Sequence, residues 1–386
     1  MIKAVILVGG PVKGTRFRPL SFDLPKPLFP VAGFPILHHH LEACSQIPDL
    51  TEILIIGFYQ PSDVIRKFLN DSQLEFHVQI RYLQEYTALG TAGGIYHFRD
   101  QILTGNPSLF FVLYADVCGD FPLLEMLTFH RQRAPQAQGI VLGTEATRQQ
   151  SRSYGCVVED KDTHEILHYV ERPETFVSST INCGVYLFSP AILKTLEVAC
   201  KKRLEKNFHC RTRSSGVLCL QQDLLVPLAG TGALFMYLTS QFWSQIKSAS
   251  AAVYANRHYL ASYHLSHPDY LAKNRPGSPI VLGDVFIHPT AVVHPTAVLG
   301  PNVTIGRDAT VAAGARVRET IVLEGALLEA HCCVLYSIVG WHSTVGAWAR
   351  VEGTPDDPNP NKPFAKLELQ SMCSSEGKLN PSITVI

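Results

Sequence analysis

The sequence predicts an α/β protein in two parts, a doubly wound sheet over residues 1–250 and a left-handed parallel β-helix over residues 280–386. Two observations predict this order. Short apolar segments alternate with helix-like segments along the first part, which is typical of a mostly parallel sheet. In the second part apolar residues recur at every sixth position, which is the signature of hexapeptide coils. Residues 251–279 are expected to join the two parts as a helix and a linker.

The length, charge, apolar segments and cysteines of the chain exclude several classes of protein. Its 386 residues suffice for two or three domains at ~150 residues each. Lys and Arg number 33 and Asp and Glu also number 33, so we expect neither a nucleic-acid partner nor attraction to an anionic membrane. No apolar segment approaches the ~18 residues of a membrane span. The ten cysteines contain no C-x-x-C pair and a strand begins almost at Met1, which together indicate a cytoplasmic protein.

The strands of the first part should bring their carboxyl ends to one edge of the sheet. Ligands of doubly wound sheets bind beyond that edge, so we expect the site there. The strand candidates are Ala4–Val8, Glu52–Ile56, Gln79–Tyr82, Phe110–Tyr114, Ile140–Gly143 and Gly184–Phe188, and the helix candidates include Ile36–Ser45, Pro61–Leu69 and Leu123–Arg133.

A glycine-rich, basic loop follows the first strand. Gly9 and Gly10 end the strand, and Gly14-Thr15-Arg16 and Pro25-Lys26-Pro27-Leu28 come next. In such loops backbone N–H groups bind phosphates, and glycine lets the backbone approach the ligand closely. A basic surface loop is the alternative.

This stretch resembles the signature GGxGTRxxPLTxxxPKPL of the sugar-1-phosphate nucleotidyltransferases. The resemblance implies a Rossmann-like domain whose Gly9, Gly10, Arg16 and Lys26 bind the nucleotide. The chain departs from the signature at Pro11-Val12-Lys13, where the family has a single residue. Two extra residues should displace the N–H groups of the loop, and Pro11 has none to donate. Catalysis should suffer more than binding, since it depends on finer positioning.

The next segments continue the resemblance in the order of the family. Glu85 followed by Leu89-Gly90-Thr91-Ala92-Gly93 resembles the base-recognition segment ExxxLGTAG. Glycines let a chain lie flat against a base, and Glu85 can accept hydrogen bonds from it. We therefore expect Glu85, Gly90 and Thr91 to contact the base, with a plain turn as the alternative.

An apolar strand then leads to Asp116. An aspartate at the end of a strand is often the N-cap of a helix, but the resemblance matches Asp116 to the aspartate that holds Mg²⁺. Gly155, Glu171 and Asn182 match the sugar-binding segments of the family, and Arg172 stands where the family usually has lysine.

The segment Phe242-Trp243-Ser244-Gln245-Ile246 is the second departure. It resembles the motif WxDIG, whose aspartate is the second carboxylate on Mg²⁺, but Gln245 stands at that position and Lys247 replaces the glycine. A neutral amide beside a lysine should weaken attraction for a divalent ion. We therefore expect no catalytic residues, no required cofactor and at most weak Mg²⁺ binding at Asp116. Gln245 can still hydrogen-bond a nucleotide sugar.

Two further polar clusters have ordinary interpretations. Consecutive helical residues point about 100° apart, so His38, His39 and His40 should not chelate one ion together. The basic run over residues 200–215 is interpreted as a solvated loop, with a nucleic-acid patch as the less favoured alternative.

The hexapeptide part has a regular core pattern and one interruption. Residues 353–381 are rich in Pro, Asp, Asn and Ser, and a loop this long inside a repeat is disordered or functional. His288, His294 and His331 leave a histidine-dependent acyltransferase open, although a platform for homo- and hetero-oligomers is favoured. The residues at every sixth position are Ile287, Val293, Leu299, Ile305, Val311, Val317 and Leu323, and the step resumes at Val339, Val345 and Val351.

Among nucleotidyltransferases the chain is most similar to GDP-mannose pyrophosphorylases, and within them to the alpha-subunit group. That group shares the lengthened glycine loop, the WSQIK segment and the proline-rich loop. The resemblance implies a regulatory subunit that binds GDP-mannose, associates with the catalytic beta subunit and mediates feedback inhibition. Two alternatives stay open: an active enzyme that converts GTP and mannose 1-phosphate to GDP-mannose and pyrophosphate, and a scaffold without a ligand.

Overall fold

The structure of the protein is a computed structural model, which describes residues 1–10, 17–22, 24–209, 217–353 and 384–386. The chain forms two compact units. The first comprises Met1–Pro11 and Leu37–Trp243, and the second comprises Val12–Ile36 and Ser244–Ile386. A segment from inside the first 250 residues therefore groups with the C-terminal part, and the linear boundaries at 250 and 279 stay a prediction.

Strands and helices are interspersed up to residue 266. The strands, in chain order, are β1 (Ile2–Gly9), β2 (Pro30–Val31), β3 (Phe34–Pro35), β4 (Leu50–Gly57), β5 (Gln79–Gln84), β6 (Leu109–Tyr114), β7 (Val117–Gly119), β8 (Gly139–Glu145), β9 (Gly155–Glu159), β10 (Ile166–Glu171), β11 (Thr180–Phe188), β12 (Leu234–Thr239) and β13 (Trp243–Gln245). The helices are α1 (Ile36–Ser45), α2 (Asp63–Phe76), α3 (Thr91–His97), α4 (Arg99–Leu103), α5 (Leu123–Arg133), α6 (Arg148–Ser151), α7 (Ile192–His209), α8 (Val226–Leu228) and α9 (Ala249–Ser266), with 3-10 turns at Lys26–Leu28 and Pro268–Tyr270 and a π-helical turn at Gln221–Leu225.

The first unit is built on a nine-stranded sheet, in which β10-β9-β11-β6-β1-β4-β5 is the main path and β8 pairs with β11 and β12. The strands β6, β1, β4 and β5 are parallel, which confirms the predicted doubly wound half. The expectation of a mostly parallel sheet is wrong for the other half, because β11 is antiparallel to β6 and β8 and β9 is antiparallel to β10. The short connection from β9 to β10 cannot hold the crossover that parallel strands require.

Apolar side chains cover both faces of this sheet. Val5 and Leu54 belong to one buried cluster, and Ile6 and Ile55 belong to another. Because alternate residues of a strand point to opposite faces, strands buried on both sides read as continuous apolar runs. All strand candidates of the sequence lie within observed strands, and α1 and α5 have the predicted bounds.

The second unit carries the repeat. Its strands are β14 (Ile280–Val281), β15 (Val285–Ile287), β16 (Val292–Val293), β17 (Val298–Leu299), β18 (Val303–Ile305), β19 (Thr310–Val311), β20 (Arg316–Arg318), β21 (Ile321–Val322), β22 (Leu327–Leu328), β23 (Cys333–Leu335), β24 (Ser337–Val339), β25 (Thr344–Val345), β26 (Arg350–Glu352) and β27 (Thr384–Val385). They form three parallel sheets. These sheets are the faces of the left-handed β-helix that the repeat predicts.

The register of the coils corrects one predicted position. Ile305 pairs with Val322, not with Leu323, and Val322 pairs in turn with Val339. Val322 therefore occupies the position predicted for Leu323. The step of six is interrupted there because one side of that coil is one residue shorter than the others. The resumption at Val339 and Val345 is confirmed, since both lie in the buried core of the coils.

The long predicted loop at 353–381 lies outside the described residues apart from Gly353. Beyond it, Thr384 and Val385 of β27 pair with Ser337 and Ile338 of β24. The chain therefore returns to the β-helix, which confirms that the strand pattern resumes near its end.

A buried asparagine explains why residues near Ala32 group with the second unit. Asn256 of α9 is fully buried, and its Oδ1 accepts hydrogen bonds from the Ala32 N–H at 2.8 Å and the Thr304 hydroxyl at 2.6 Å. One side chain thus joins helix α9 to the β2–β3 hairpin and to the β-helix.

None of the helices in the described residues combines the length and the apolar character that crossing a bilayer requires. The cysteines within the described ranges form no disulfide.

Candidate functional site

Backbone hydrogen bonds connect the carboxyl ends of the parallel strands β1, β4 and β5. The Phe58 N–H donates to the Gly9 carbonyl at 2.7 Å, and the Glu85 N–H donates to the Gly57 carbonyl at 2.7 Å. A Cβ at Gly10 would lie 2.6 Å from the Phe58 Cβ, so only glycine fits there. The structure therefore brings Gly9, Gly10 and Glu85 to one edge of the sheet. Arg16 lies outside the described residues.

The carboxylate of Glu85 lies against the first turns of helix α3. A Cβ at Gly94 would lie 2.2 Å from Glu85 Oε1, so the glycine leaves the room that the carboxylate occupies. Glu85 itself is half-buried. Its neighbour Gly94 was not recognised from the sequence, although it directly follows the glycine of the matched motif.

The segment at Gly90 begins a helix, so the plain-turn alternative is wrong. Gly90 has φ 84° and ψ 173°, a combination essentially restricted to glycine. The Leu218 carbonyl accepts hydrogen bonds from the Ala92 N–H at 3.1 Å and the Gly93 N–H at 3.4 Å. The first N–H groups of α3 are therefore used inside the protein. The Thr91 hydroxyl also faces inward, because it accepts from the Leu220 N–H at 2.9 Å.

Asp116 stands two residues beyond β6 and is half-buried. The element that follows is strand β7, so Asp116 does not cap a helix and that alternative is wrong. Gln245, at the end of β13, and Lys26 belong to the second unit. Among the described residues, Asp116 is not part of any cluster of three side chains able to hold a metal ion.

Such a cluster is formed by His38, His39 and Glu42, whose ligand atoms lie within 4.8 Å of one another. His38 and His39 therefore come closer than their consecutive positions led us to expect. His40 points elsewhere, since its Nε2 lies 3.2 Å from the Tyr114 carbonyl. Glu42 supplies the third group because it lies one helical turn further along α1.

The segments that the resemblance predicts to bind the sugar meet around two tyrosines. The Tyr169 hydroxyl donates to Glu171 Oε2 at 2.9 Å. A Cβ at Gly155 would lie 1.9 Å from that hydroxyl and 2.9 Å from Glu171 Oε2, so Gly155 is needed for space. Asn182 Nδ2 donates to the hydroxyls of Tyr169 at 3.1 Å and Tyr186 at 2.7 Å. The structure thus brings Gly155, Glu171 and Asn182 together.

The contacts of Asn182 differ from its expected role. Besides its two donated bonds, its Oδ1 accepts from the Gly184 N–H at 2.9 Å, and the residue is 8% exposed. Its amide therefore serves the protein interior, whereas the family pattern assigned it to sugar hydroxyls. Glu171 keeps access to solvent, with 28% of its side chain exposed.

Tyr114 lies next to this group. Its ring centroid is 5.7 Å from that of Tyr186, and its hydroxyl accepts a hydrogen bond from Gln221 Nε2 at 2.9 Å. Burial raises the pKa of Tyr114, Tyr169 and Tyr186 far above the usual range. These hydroxyls stay protonated at neutral pH and can donate. One feature of the sequence could have identified Tyr169 as a neighbour of Glu171. It stands two residues before Glu171 in the same strand, so both side chains point to the same face of the sheet.

The basic run has an ordinary role where it is described. Arg203 Nη1 donates to both carboxylate oxygens of Asp223 at 2.8 Å, and Lys201 Nζ lies 2.7 Å from Glu197. Residues 200–209 lie in helix α7, so the predicted loop is wrong there, although these ion pairs agree with a solvated surface. Residues 210–216 lie outside the described ranges.

Family models match both parts of the chain. Residues 3–213 match the model described as nucleotidyl transferase. The chain belongs to the nucleotidyl transferase family. Residues 281–385 match a second model, described as the GMPPB C-terminal domain.

Within the nucleotidyl transferases, similar relatives cover the whole chain. The Danio rerio protein named mannose-1-phosphate guanylyltransferase regulatory subunit alpha-B is 58% identical over 390 residues, which are 100% of this chain and 92% of that protein. The Sus scrofa mannose-1-phosphate guanylyltransferase regulatory subunit alpha is 58% identical over 391 residues, with the same coverage. These relatives confirm the resemblance to the alpha-subunit group.

A solved member of the nucleotidyl transferases supports the fold. It is a putative glucose-1-phosphate thymidylyltransferase from Bacillus anthracis in complex with a sucrose. The TM-score is 0.53 at 22% identity, covering 66% of this chain and 94% of that one. At this identity the likeness concerns the fold alone.

Proposed function

We propose that this chain is a regulatory, non-catalytic subunit that binds GDP-mannose and controls a catalytic mannose-1-phosphate guanylyltransferase beta subunit by feedback inhibition. The observation that carries the proposal is the identity of 58% along the whole chain to proteins named regulatory subunit alpha. GDP-mannose is the product of the reaction that their names describe. A subunit that senses this product supplies the feedback.

Three groups in the first unit support the proposed orientation of the ligand. Glu85 lies at the start of α3, at the end proposed for guanine, and Gly9 and Gly10 end β1, where phosphates would lie. Glu171 is a partly exposed carboxylate at the proposed mannose end. The roles of Arg16, Lys26 and Gln245 stay predictions from the family signature.

The donor set fits Mg²⁺ poorly. The family position of the second carboxylate is Gln245, and Mg²⁺ relies on carboxylates for charge. Asp116 alone supplies one negative charge, and charge pairs at contact distance are worth a few kcal/mol even when partly screened. We therefore assign no step to a metal ion.

Calorimetry of the pure chain with GDP-mannose tests the proposal. We expect saturable binding whose affinity changes less than about twofold when Mg²⁺ is removed with EDTA, because the metal makes no required contact. Binding that is lost without Mg²⁺, together with pyrophosphate release from GTP and mannose 1-phosphate, would favour the active enzyme. The absence of any binding would favour a scaffold.

Replacing Gln245 with aspartate tests the metal argument separately. We expect Gln245→Asp to raise the affinity for Mn²⁺, a spectroscopic substitute for Mg²⁺, by about tenfold, because the family position of the second carboxylate is then filled. Gln245→Asn is the matched control and should leave Mn²⁺ affinity unchanged. Electron paramagnetic resonance titration measures both, and equal affinities in all three proteins would contradict the argument.

The acyltransferase alternative receives no support from His288 and His294. His288 Nδ1 and His294 Nδ1 lie 2.9 Å from the hydroxyls of Thr290 and Thr296, and each also accepts the N–H of the same threonine at 3.2 Å. These bonds close the corners of the coils. We propose that the β-helix serves assembly into homo- and hetero-oligomers.

A further inference from the structure

We propose that Tyr169 and Asn182 are positioning residues, which hold the Glu171 carboxylate toward the hexose of a bound nucleotide sugar. The inference rests on the proposed function. It assigns sugar selectivity to the two hydrogen bonds from Asn182 to Tyr169 and from Tyr169 to Glu171, which we call the relay. Asn182 acts through Tyr169, without touching the ligand.

The relay has a defined direction. Asn182 Oδ1 accepts the Gly184 N–H at 2.9 Å, which fixes its amide nitrogen toward the tyrosines. That nitrogen donates to the Tyr169 hydroxyl at 3.1 Å. A hydroxyl has one proton, and a donor already occupies one of its lone pairs, so the proton of Tyr169 is directed to its other neighbour. This neighbour is Glu171 Oε2 at 2.9 Å.

Because Tyr169 binds Oε2 of Glu171, the other carboxylate oxygen, Oε1, is the one that can contact a ligand. The tyrosine bond engages Oε2, while Oε1 lies 3.5 Å from Arg172 Nε in a partly exposed ion pair. A carboxylate held by one buried donor loses less rotational freedom on binding than a free one. Its second oxygen can then accept from a sugar hydroxyl, and bonds to charged acceptors are the stronger ones.

The packing around the relay argues that the position of Glu171 is specified. Tyr169 is 6% exposed and Asn182 is 8% exposed, so their bonds are shielded from water. Gly155 has no room for a Cβ beside the Tyr169 hydroxyl. Gly155, Glu171 and Asn182, from three strands, thus surround the Tyr169 hydroxyl, whereas stability alone would be served by an apolar contact.

Tyr169→Phe is the test variant, because it removes only the hydroxyl that holds Glu171. We expect the ratio of GDP affinity to GDP-mannose affinity to shift by about tenfold against the sugar nucleotide, with GDP binding unchanged. Tyr186→Phe is the matched control. It removes the other hydroxyl bonded to Asn182, at 2.7 Å, but not the one bonded to Glu171, so the ratio should stay within twofold of the wild type.

Glu171→Gln completes a double-mutant cycle by calorimetry. Because both changes act on one contact, we expect Glu171→Gln and Tyr169→Phe combined to shift the ratio no further than the larger single change. Additive shifts, or a Tyr169→Phe ratio equal to that of the wild type, would overturn the inference while leaving the proposed function intact. Failure of the wild type to bind either nucleotide would overturn both. Circular dichroism at 222 nm verifies that each variant is folded.

Discussion

Replacing Glu52 with glutamine is expected to lower the free energy of unfolding by about 3–5 kcal/mol, because it leaves a buried lysine without its counter-charge. Lys3 Nζ lies 2.8 Å from Glu52 Oε2, and only 2% of the lysine side chain and 8% of the glutamate side chain are exposed. Arg81 bonds the other carboxylate oxygen from the surface. Urea denaturation monitored by tryptophan fluorescence measures the change.

The control is the double variant Lys3→Met with Glu52→Gln. Replacing a buried ion pair by neutral groups of similar volume is often close to neutral, whereas removing one partner is costly. The double variant should therefore recover most of the loss. A double variant as unstable as Glu52→Gln would contradict the argument.

The same pair makes stability depend on pH. Burial raises the pKa of Glu52, but hydrogen bonds and charges from Arg81 and Lys3 together bring it below its usual value. A depressed pKa adds stability that is full above the unfolded value of about 4.3 and is lost as the pH falls through the folded value. The difference in unfolding free energy between wild type and Glu52→Gln should therefore shrink as the pH is lowered from 7 into this window.

Replacing Gly90 with alanine is the second large effect, with an expected loss of about 3–5 kcal/mol in unfolding free energy. Two costs add. The backbone at φ 84° and ψ 173° is strained by about 1–3 kcal/mol in any other residue. The new Cβ would also lie 2.3 Å from the Leu218 carbonyl oxygen, which must move and release the first N–H groups of α3. Loss of buried hydrogen bonds costs about 1–3 kcal/mol each.

Gly9→Ala separates the two costs. Gly9 also has a positive φ, at 67°, but nothing lies within 4 Å of an added Cβ. The backbone cost alone, about 1–2 kcal/mol, is expected there. Equal losses at the two positions, by the same denaturation assay, would show that the Leu218 contact adds nothing.

The sequence predicted the strands better than their directions. Runs such as Phe110–Tyr114 are apolar because both faces of the sheet are covered, and this leaves a clear local pattern. Whether β11 runs parallel or antiparallel to β6 depends on connections between distant elements, which no local pattern records. In the β-helix, Val322 and Leu323 are both apolar and both buried, so a step of five or six could not be distinguished by composition.

In the candidate site, too, the residues were easier to predict than their contacts. The resemblance named residues that the structure brings together in two groups, Gly9, Gly10 and Glu85 in one and Gly155, Glu171 and Asn182 in the other. It did not find the inward bonds of Asn182 or the role of Tyr169, because a hydrogen bond depends on side-chain direction in three dimensions. An asparagine offers two donors and one acceptor wherever it lies, and only the fold decides which neighbours receive them.

Strand β27 has a consequence for how this chain can change length. Thr384 takes its place beside Ser337 as the next coil would, although the chain leaves the previous coil at Glu352. The position of β27 is therefore set by its pairing with β24 and not by the number of residues that precede it. We therefore expect insertions or deletions between Glu352 and Thr384 to leave the pairing of β27 with β24 unchanged.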